Sequence, residues 1–242
     1  MAAMPAPTAE SIQLDTPDGP MAALRAVPSG EPRGGVVVVQ EAFGLTGHIQ
    51  RVTEDLAAAG YLAVAPALFH RSEEQVFGYG DFDKLGPVIS VLTGETIAMD
   101  VDAALAELDR LGQPATSQGI IGFCMGGTVA LATAARLALG AAVTFYGGGL
   151  GEGRFGLPAG VESAGSLRTP WLGLYGDLDA HIPVDHVEQV RTVVSDSAVP
   201  AEVVRYADAD HGFHCDERAS YHPDSSSDAW TRTLAFLDTH LA

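Results

Sequence analysis

The most reactive side chain in the sequence is Cys124, in the segment GFCMG at residues 122–126. The segment has the form G-x-S-x-G with cysteine in place of serine, which predicts a nucleophile on a sharp turn between a strand and a helix. Gly122 and Gly126 suit such a turn, because it leaves no room for larger side chains. A helix beginning at Met125 would direct free N–H groups at the sulfur and favour the thiolate. The segment therefore predicts covalent chemistry at Cys124.

Two other interpretations of this segment stay open at this stage. Cysteine is among the most often buried residue types, and a lone cysteine is more often inert than reactive. A glycine-rich turn can also bind a dinucleotide, but that fingerprint needs glycine where Cys124 stands and follows the first strand. The covalent interpretation therefore depends on whether a base and an acid follow along the chain.

A cysteine nucleophile needs a base, and the base needs an acid that orients it. His211 is preceded by a predicted strand and followed by Gly212 and Phe213, which favours it over His181 and His214. The acid comes from the loop GDLDAHIP at residues 176–183. From the residues alone, Asp177 could orient the base and Asp179 could cap a helix, or the reverse.

The proximity of His211, His214 and Cys215 also suggests a metal site, but the cluster lacks a fourth ligand. We expect no metal and no cofactor.

The elements that must position these residues alternate between strands and helices. Apolar and β-branched runs predict strands, and apolar residues at a spacing of three and four predict helices. The strands are expected near residues 12–14 and 21–27, as an antiparallel hairpin, and then at 36–40, 61–65, 119–123, 141–145, 171–175 and 201–206. The helices are expected near residues 49–59, 101–111, 125–139, 187–194 and 230–241, whereas the glycine-rich stretch 146–168 is expected to be a loop. The fold class is α/β, with a mostly parallel sheet covered by helices on both faces.

Composition excludes several classes of function. The 242 residues suit a single α/β domain over residues 1–242. With 31 acidic and 13 basic residues, the formal charge of −18 disfavours nucleic acid and anionic membranes as partners. Lys84 is the only lysine, which disfavours phosphate-binding loops and Schiff-base chemistry. Neither a leader peptide nor an apolar span of 18 residues is recognisable, so we expect a cytoplasmic protein with free thiols.

These residues resemble the dienelactone hydrolase family, whose members are cysteine-dependent α/β-hydrolases, and the resemblance runs over nearly the whole chain. The matching segments are QEAFGL at 40–45, GFCMGG at 122–127, GDLD with the later proline at 176–183, and DHGF at 210–213. The nucleophile segment with ordered Asp and His is specific to the α/β-hydrolase superfamily. The segment QEAFG adds most of the specificity for the family.

The resemblance implies a role for each matching residue. Cys124 is the nucleophile and His211 the base, and Asp179 orients the base because the family's acid precedes the loop proline by four positions. Glu41 is a carboxylate beside the thiol that keeps it neutral until substrate rearranges the site. The alternative is that Glu41 is an ordinary solvated acid at the end of a strand.

An oxyanion on the substrate would need two backbone donors, which we expect to be the N–H groups of Ala42 and Met125. Aromatic residues near these strand ends are candidates for the pocket wall, although such residues are as often ordinary packing. They are Phe43, Tyr146, Trp171 and Phe213.

The sequence departs from the family where the substrate carboxylate would bind. Dienelactone-cleaving members use arginines, one of them four residues after the catalytic histidine, and here that position is Cys215. Residues 72–95 contain no arginine either. Arg71 or Arg218 could replace the missing arginine by bending inward, but either could equally be an exposed charge. We therefore expect a small-molecule lactone or ester as substrate, with neutral substrates preferred.

Three alternatives remain beside this hypothesis: a broader thioester or carboxylic ester hydrolase, a small-ligand-binding protein, and a redox-sensing thiol protein. The sequence leaves the physiological substrate and the oligomeric state open.

Overall fold

The computed structural model describes residues 6–241. Residues 1–5 and 242 of the predicted domain 1–242 lie outside the described residues, and residues 1–5 also belong to the segment searched for a leader peptide. Eight strands form one sheet in the order β1-β2-β4-β3-β5-β6-β7-β8. The strands are β1 Glu10–Thr16, β2 Gly19–Ala26, β3 Gly35–Val39, β4 Leu62–Pro66, β5 Gln118–Phe123, β6 Ala141–Phe145, β7 Trp171–Gly176 and β8 Ala201–Tyr206.

Seven α-helices are described in residues 6–241. They are α1 Gly47–Ala58, α2 Phe82–Ser90, α3 Gly94–Arg110, α4 Met125–Arg136, α5 Gly160–Ala164, α6 Val184–Val194 and α7 Pro223–His240. Strand β2 pairs antiparallel with β1 and β4, and all the other neighbouring strands are parallel. The predicted α/β class and the N-terminal antiparallel hairpin are confirmed. Residues 36–39 of β3 are fully buried, which explains the unbroken valine run of a strand covered on both faces.

The structure differs from the sequence-based expectation at several places, and helices α3 and α7 begin about seven residues before the expected positions, at Gly94 and Pro223. Helix α2 was not expected, because Gly86 and Pro87 lie inside it, but burial of Leu85 and Val88 holds it against the core. The stretch 146–168 is not all loop, because the short helix α5 lies within it. Helix α4 ends at Arg136, before the expected end at 139, because Leu137 adopts an extended conformation.

The parallel strands place several loops at one edge of the sheet, because their carboxyl ends all point the same way. The loops after β3, β5, β6, β7 and β8 therefore meet there, and they carry residues that are far apart in the sequence.

Candidate active site

Cys124 stands on the turn between β5 and α4, with φ +52° and ψ −114°. A residue other than glycine with positive φ is strained, and such strain is typical of functional sites. A Cβ on Gly122 would overlap the carbonyl oxygen of Gly126, and one on Gly126 would overlap that of Val39. The close approach of three backbone segments therefore explains the two glycines around Cys124, as the sequence predicted for a sharp turn.

His211 and Asp179 form a hydrogen-bonded pair in the loops after β8 and β7. The Nδ1 of His211 lies 2.6 Å from Oδ2 of Asp179, and the other carboxylate oxygen accepts the N–H of His181 at 2.8 Å. Asp177 instead binds the guanidinium of Arg205 through both oxygens, at 2.7 Å each. The structure thus brings Asp179, and not Asp177, to His211.

The other two histidines considered as bases have different surroundings. The ring of His181 lies in the wall of a cavity, with its centre 5.9 Å from that of His211. His214 is stacked on Phe123 and Trp230, and burial lowers its pKa to about 4. A neutral imidazole enclosed by aromatic rings is ordinary core packing for a histidine.

The charge state of His211 is set by opposing effects. Burial lowers the pKa of this imidazole, but the hydrogen bond to Asp179 and the nearby sulfur of Cys124 outweigh burial and raise the pKa to about 10. An imidazole in these surroundings retains a proton at neutral pH. Cys124 and His211 thus line the same cavity, and Asp179 is hydrogen-bonded to His211, which is compatible with a Cys–His–Asp triad.

Glu41 follows β3 and is completely buried. Its Oε1 accepts a hydrogen bond from the guanidinium of Arg218 at 3.2 Å, while its Oε2 has no partner in the part of the chain that the structure describes. Burial raises the pKa of this carboxyl, and the charge of Arg218 opposes the rise without cancelling it. Glu41 is therefore no solvated strand-end acid, and it binds a proton more readily than an exposed glutamate does.

The two expected oxyanion donors, Ala42 and Met125, both line the cavity in front of Cys124. Met125 is the first residue of α4, so its N–H has no acceptor within the helix. Their role as a pair of donors stays a prediction.

The cavity has a volume of about 710 Å³, within the range of small-molecule sites. Phe43 and Arg218 line it. Tyr146, Trp171 and Phe213 do not, because all three are fully buried.

The expectation that Arg71 could reach the pocket was wrong. Its guanidinium binds the buried carboxylate of Asp100 at 2.7 Å and the exposed carboxylate of Asp18 at 2.7 Å. Arg71 does not line the cavity.

The cavity residues that escaped the sequence analysis include Tyr79, Phe82 and Arg154. Phe82 and Tyr79 form edge-to-face contacts with Phe43, and Arg218 lies over the rings of Phe43 and Tyr79 at 5.8 and 5.7 Å. For Arg154 a signal was present, because it is an arginine in a glycine-rich loop directly after a parallel strand.

The described residues show neither a metal centre nor a membrane span. Within 6–241, no group of three or more His, Cys, Asp or Glu side chains is arranged to hold a metal ion. No helix in that range combines the length and the apolar character needed to cross a membrane.

Comparison with known proteins places these features in a family. Residues 21–241 match the profile of the dienelactone hydrolase family. A Yersinia pestis protein provisionally named carboxymethylenebutenolidase is 37% identical over 208 residues, covering 85% of this chain and 78% of that protein. A Bradyrhizobium protein provisionally named 2-oxo-3-(5-oxofuran-2-ylidene)propanoate lactonase is 31% identical, covering 85% of this chain and 84% of its own. The crystal structure of a provisionally named dienelactone hydrolase from Klebsiella pneumoniae superimposes with a TM-score of 0.87, at 38% identity, covering 96% of this chain and 99% of the other.

Proposed function

The chain belongs to the dienelactone hydrolase family, and on this premise we propose that it cleaves a lactone or carboxylic ester through an acyl-cysteine intermediate. It is a hydrolase of the lactone and ester type. One observation carries the cysteine mechanism: His211, held by Asp179 at 2.6 Å, lines the same cavity as Cys124, which stands on a strained turn. That arrangement suits nucleophilic catalysis and has no evident structural purpose.

The proposed reaction has two halves. The thiolate of Cys124 attacks the substrate carbonyl, and the N–H groups of Ala42 and Met125 bind the oxyanion. Protonated His211 gives its proton to the departing alcohol oxygen as the C–O bond breaks, which leaves a thioester. Water then attacks the thioester, His211 accepts a proton from that water, and the thiolate leaves with the C–S bond broken. In a lactone the alcohol and the acyl group stay in one molecule.

Glu41 is proposed to control the charge of the thiol. It is fully buried, and its pKa is raised by burial. As a carboxylate it would disfavour a thiolate beside it by repulsion, and as a base it could take the thiol proton. Arg218 is its ion-pair partner and also lines the cavity, so a bound anion would compete with Glu41 for this guanidinium.

The structure changes the expected substrate class. The preference for neutral substrates assumed a pocket without arginine, but Arg154 and Arg218 both line it. Of the two acidic residues of the wall, Glu217 is paired with Arg51 at 2.8 Å, whereas Asp210 accepts the backbone N–H of His211 and keeps its charge. Within the described residues Arg154 forms no ion pair, so its guanidinium is available to a bound anion. We therefore propose a substrate that bears a carboxylate.

The mechanism is tested with purified protein, an activated aryl ester and iodoacetamide. Cys124→Ala should abolish turnover and acyl-enzyme formation, and alkylation of one thiol per chain should map to Cys124 and inactivate the enzyme. Cys215→Ala is the matched control, because Cys215 is buried and burial raises its pKa to about 11. Sustained turnover by Cys124→Ala would refute the acyl-cysteine mechanism. A binding or redox-sensing protein would show no turnover that depends on Cys124.

A further inference from the structure

Arg154 and Phe155 are neighbours in the sequence, and both line the active-site cavity. The guanidinium of Arg154 lies over the ring of Phe155, 5.5 Å from the ring centre. In an extended chain successive side chains point to opposite sides, so two adjacent residues do not normally meet in this way. A local change in the backbone therefore brings the two side chains together.

That change is a tight turn over residues 154–157, in the loop after β6. The N–H of Leu157 donates to the carbonyl of Arg154 at 2.9 Å. Both central residues have positive φ, +57° at Phe155 and +71° at Gly156, which is the pattern of a type I′ turn. Glycine, asparagine and aspartate dominate these positions, and phenylalanine is strained there. The turn alone thus gives no reason for a phenylalanine at 155.

The turn is held closely by its neighbours. A Cβ on Gly156 would lie 2.7 Å from the backbone nitrogen of Gly94, so the turn lies directly against the first residue of α3. A Cβ on Gly149 would lie 3.0 Å from Cγ of Arg154, so the stem of the arginine passes close to the backbone there. The arginine therefore lies between a glycine segment and the ring of Phe155.

The glycine segment is also tied to the helix that begins after the nucleophile. Gly148 lines the cavity, and its carbonyl accepts a hydrogen bond from the hydroxyl of Thr128 on α4 at 3.0 Å. A Cβ on Gly148 would come within 3.5 Å of Nη1 of Arg154. Since α4 begins directly after Cys124, one helix follows the nucleophile and anchors the backbone beside the guanidinium.

The guanidinium of Arg154 is available to a ligand. The residue is exposed, and in the part of the chain that the structure describes no carboxylate pairs with it. Arginine is among the side chains that lose most rotamer entropy when they are held in one conformation, so an arginine that is already held binds an anion more tightly. An aromatic ring against the flat face of a guanidinium leaves its N–H edge free for a carboxylate.

Resting on the proposed function, we propose that Phe155 is a positioning residue for Arg154, whose guanidinium it holds in the orientation that receives the carboxylate of the substrate. The strain at residue 155 then has a reason, because the residues that suit this turn better offer no aromatic face. Phe155 thus contributes to the selection of an anionic substrate although it carries no charge.

The experiment compares Phe155→Leu with the unaltered protein on a carboxylate-bearing aryl ester and on its neutral analogue. Leucine keeps an apolar contact with the core, against which Phe155 also packs, but has no aromatic face. The ratio of kcat/KM for the carboxylate ester to that for the neutral ester should fall roughly two- to fivefold, the range of an exposed cation–π contact. The fall should come from a higher KM for the carboxylate ester, because only binding is weakened. Phe155→Tyr, which keeps the ring, should keep the ratio.

A second pair of variants shows whether Phe155 acts through Arg154. In Arg154→Ala the guanidinium is absent, so adding Phe155→Leu should not lower the ratio further. An unchanged ratio in Phe155→Leu, or an equal fall with and without Arg154, would overturn the proposal.

If Phe155→Leu does not fold, 3,4,5-trifluorophenylalanine at position 155 replaces it. Fluorination keeps the shape of the ring but weakens the negative charge on its face, so the ratio should fall, and an unchanged ratio would again overturn the proposal. Failure of the proposed carboxylate contact is separate, because the ratio would then stay unchanged in Arg154→Ala itself. A fall in Arg154→Ala with none in Phe155→Leu would overturn only the role of Phe155.

Discussion

Asp179 accepts two hydrogen bonds, one on each carboxylate oxygen, and this arrangement allows the effect of Asp179→Asn to be worked out. Oδ1 accepts the backbone N–H of His181 at 2.8 Å, and Oδ2 faces Nδ1 of His211 at 2.6 Å. An asparagine can keep the first bond only with its carbonyl oxygen, so its NH₂ group must point at His211. Nδ1 then has to accept, and the neutral imidazole carries its proton on Nε2, where it cannot accept the proton of the water that attacks the thioester.

The expected magnitude follows from this wrong tautomer. The same substitution in a comparable serine triad lowers turnover by about 10⁴, which corresponds to about 5.4 kcal/mol at 1.36 kcal/mol per factor of ten. We expect kcat/KM for an activated aryl ester to fall by roughly 10³ to 10⁴. The pKa of His211 should fall as well, because its hydrogen bond to Asp179 raises it. Ester kinetics measure the first effect, and ¹⁵N NMR of the imidazole measures the tautomer and the second effect.

Asp177→Asn is the matched control, two residues away in the same loop. Asp177 forms a part-buried ion pair with Arg205, and pairs near the surface contribute about 0.2–1 kcal/mol to stability. Turnover in this variant should stay within roughly a factor of three of the unaltered protein, since about 0.7 kcal/mol corresponds to such a factor. The assignment of Asp179 would be refuted if kcat/KM fell by less than tenfold in Asp179→Asn, or if it fell equally in both variants.

Three further predictions follow from other parts of the structure. Gly126→Ala should lower the free energy of unfolding in urea by about 3 kcal/mol or more, because the new Cβ would overlap backbone at the end of β3. The control Gly86→Ala has open space around it and should be neutral or slightly stabilising. Similar free energies of unfolding for both variants would contradict the close approach at Gly126. The pKa of buried His48 is lowered to about 3, chiefly by burial, so the unfolded chain binds a proton below pH 6.5 that the folded chain does not, and stability falls as the pH drops towards 3. His48→Gln should remove about 2 kcal/mol of the stability lost between pH 7 and 5, and an unchanged loss in urea titrations would exclude this cause. Arg154→Ala should lower kcat/KM at least tenfold for a carboxylate-bearing ester but not for its neutral analogue. The control Arg168→Ala removes an arginine outside the cavity and should change kcat/KM for neither ester. An equal loss of kcat/KM on both esters would argue against a contact between Arg154 and the substrate carboxylate.

The strands and the nucleophile turn could be predicted because their causes are local. The run at 36–39 can be buried on both faces only as a central strand, and glycines on either side of Cys124 meet a steric need of the turn itself. The order of Cys124, Asp179 and His211 along parallel strands then brings them to one edge of the sheet. That step needs only the rule that parallel strands end together.

The arginines could not be assigned from the sequence, because their positions depend on partners that are distant along the chain. Arg71 is drawn away from the cavity by Asp100 on α3, which is fully buried and needs a counter-charge. Arg218 is drawn inward by Glu41, 177 residues earlier. Arg71 lies in the loop after β4 and Arg218 in the loop after β8. The local sequence therefore does not distinguish the arginine that lines the cavity from the one that does not.

Helix α2 carries a side chain to which a label or a solid support can be coupled covalently. It carries Lys84, the only lysine side chain in the sequence, which is half-exposed and lies 3.3 Å from Asp81. Its neighbours Phe82 and Leu85 line the active-site cavity. A fluorophore coupled to this amine would therefore report on events at the cavity mouth. For the same reason, a resin that captures lysine would turn the mouth towards its own surface and hinder the entry of substrate.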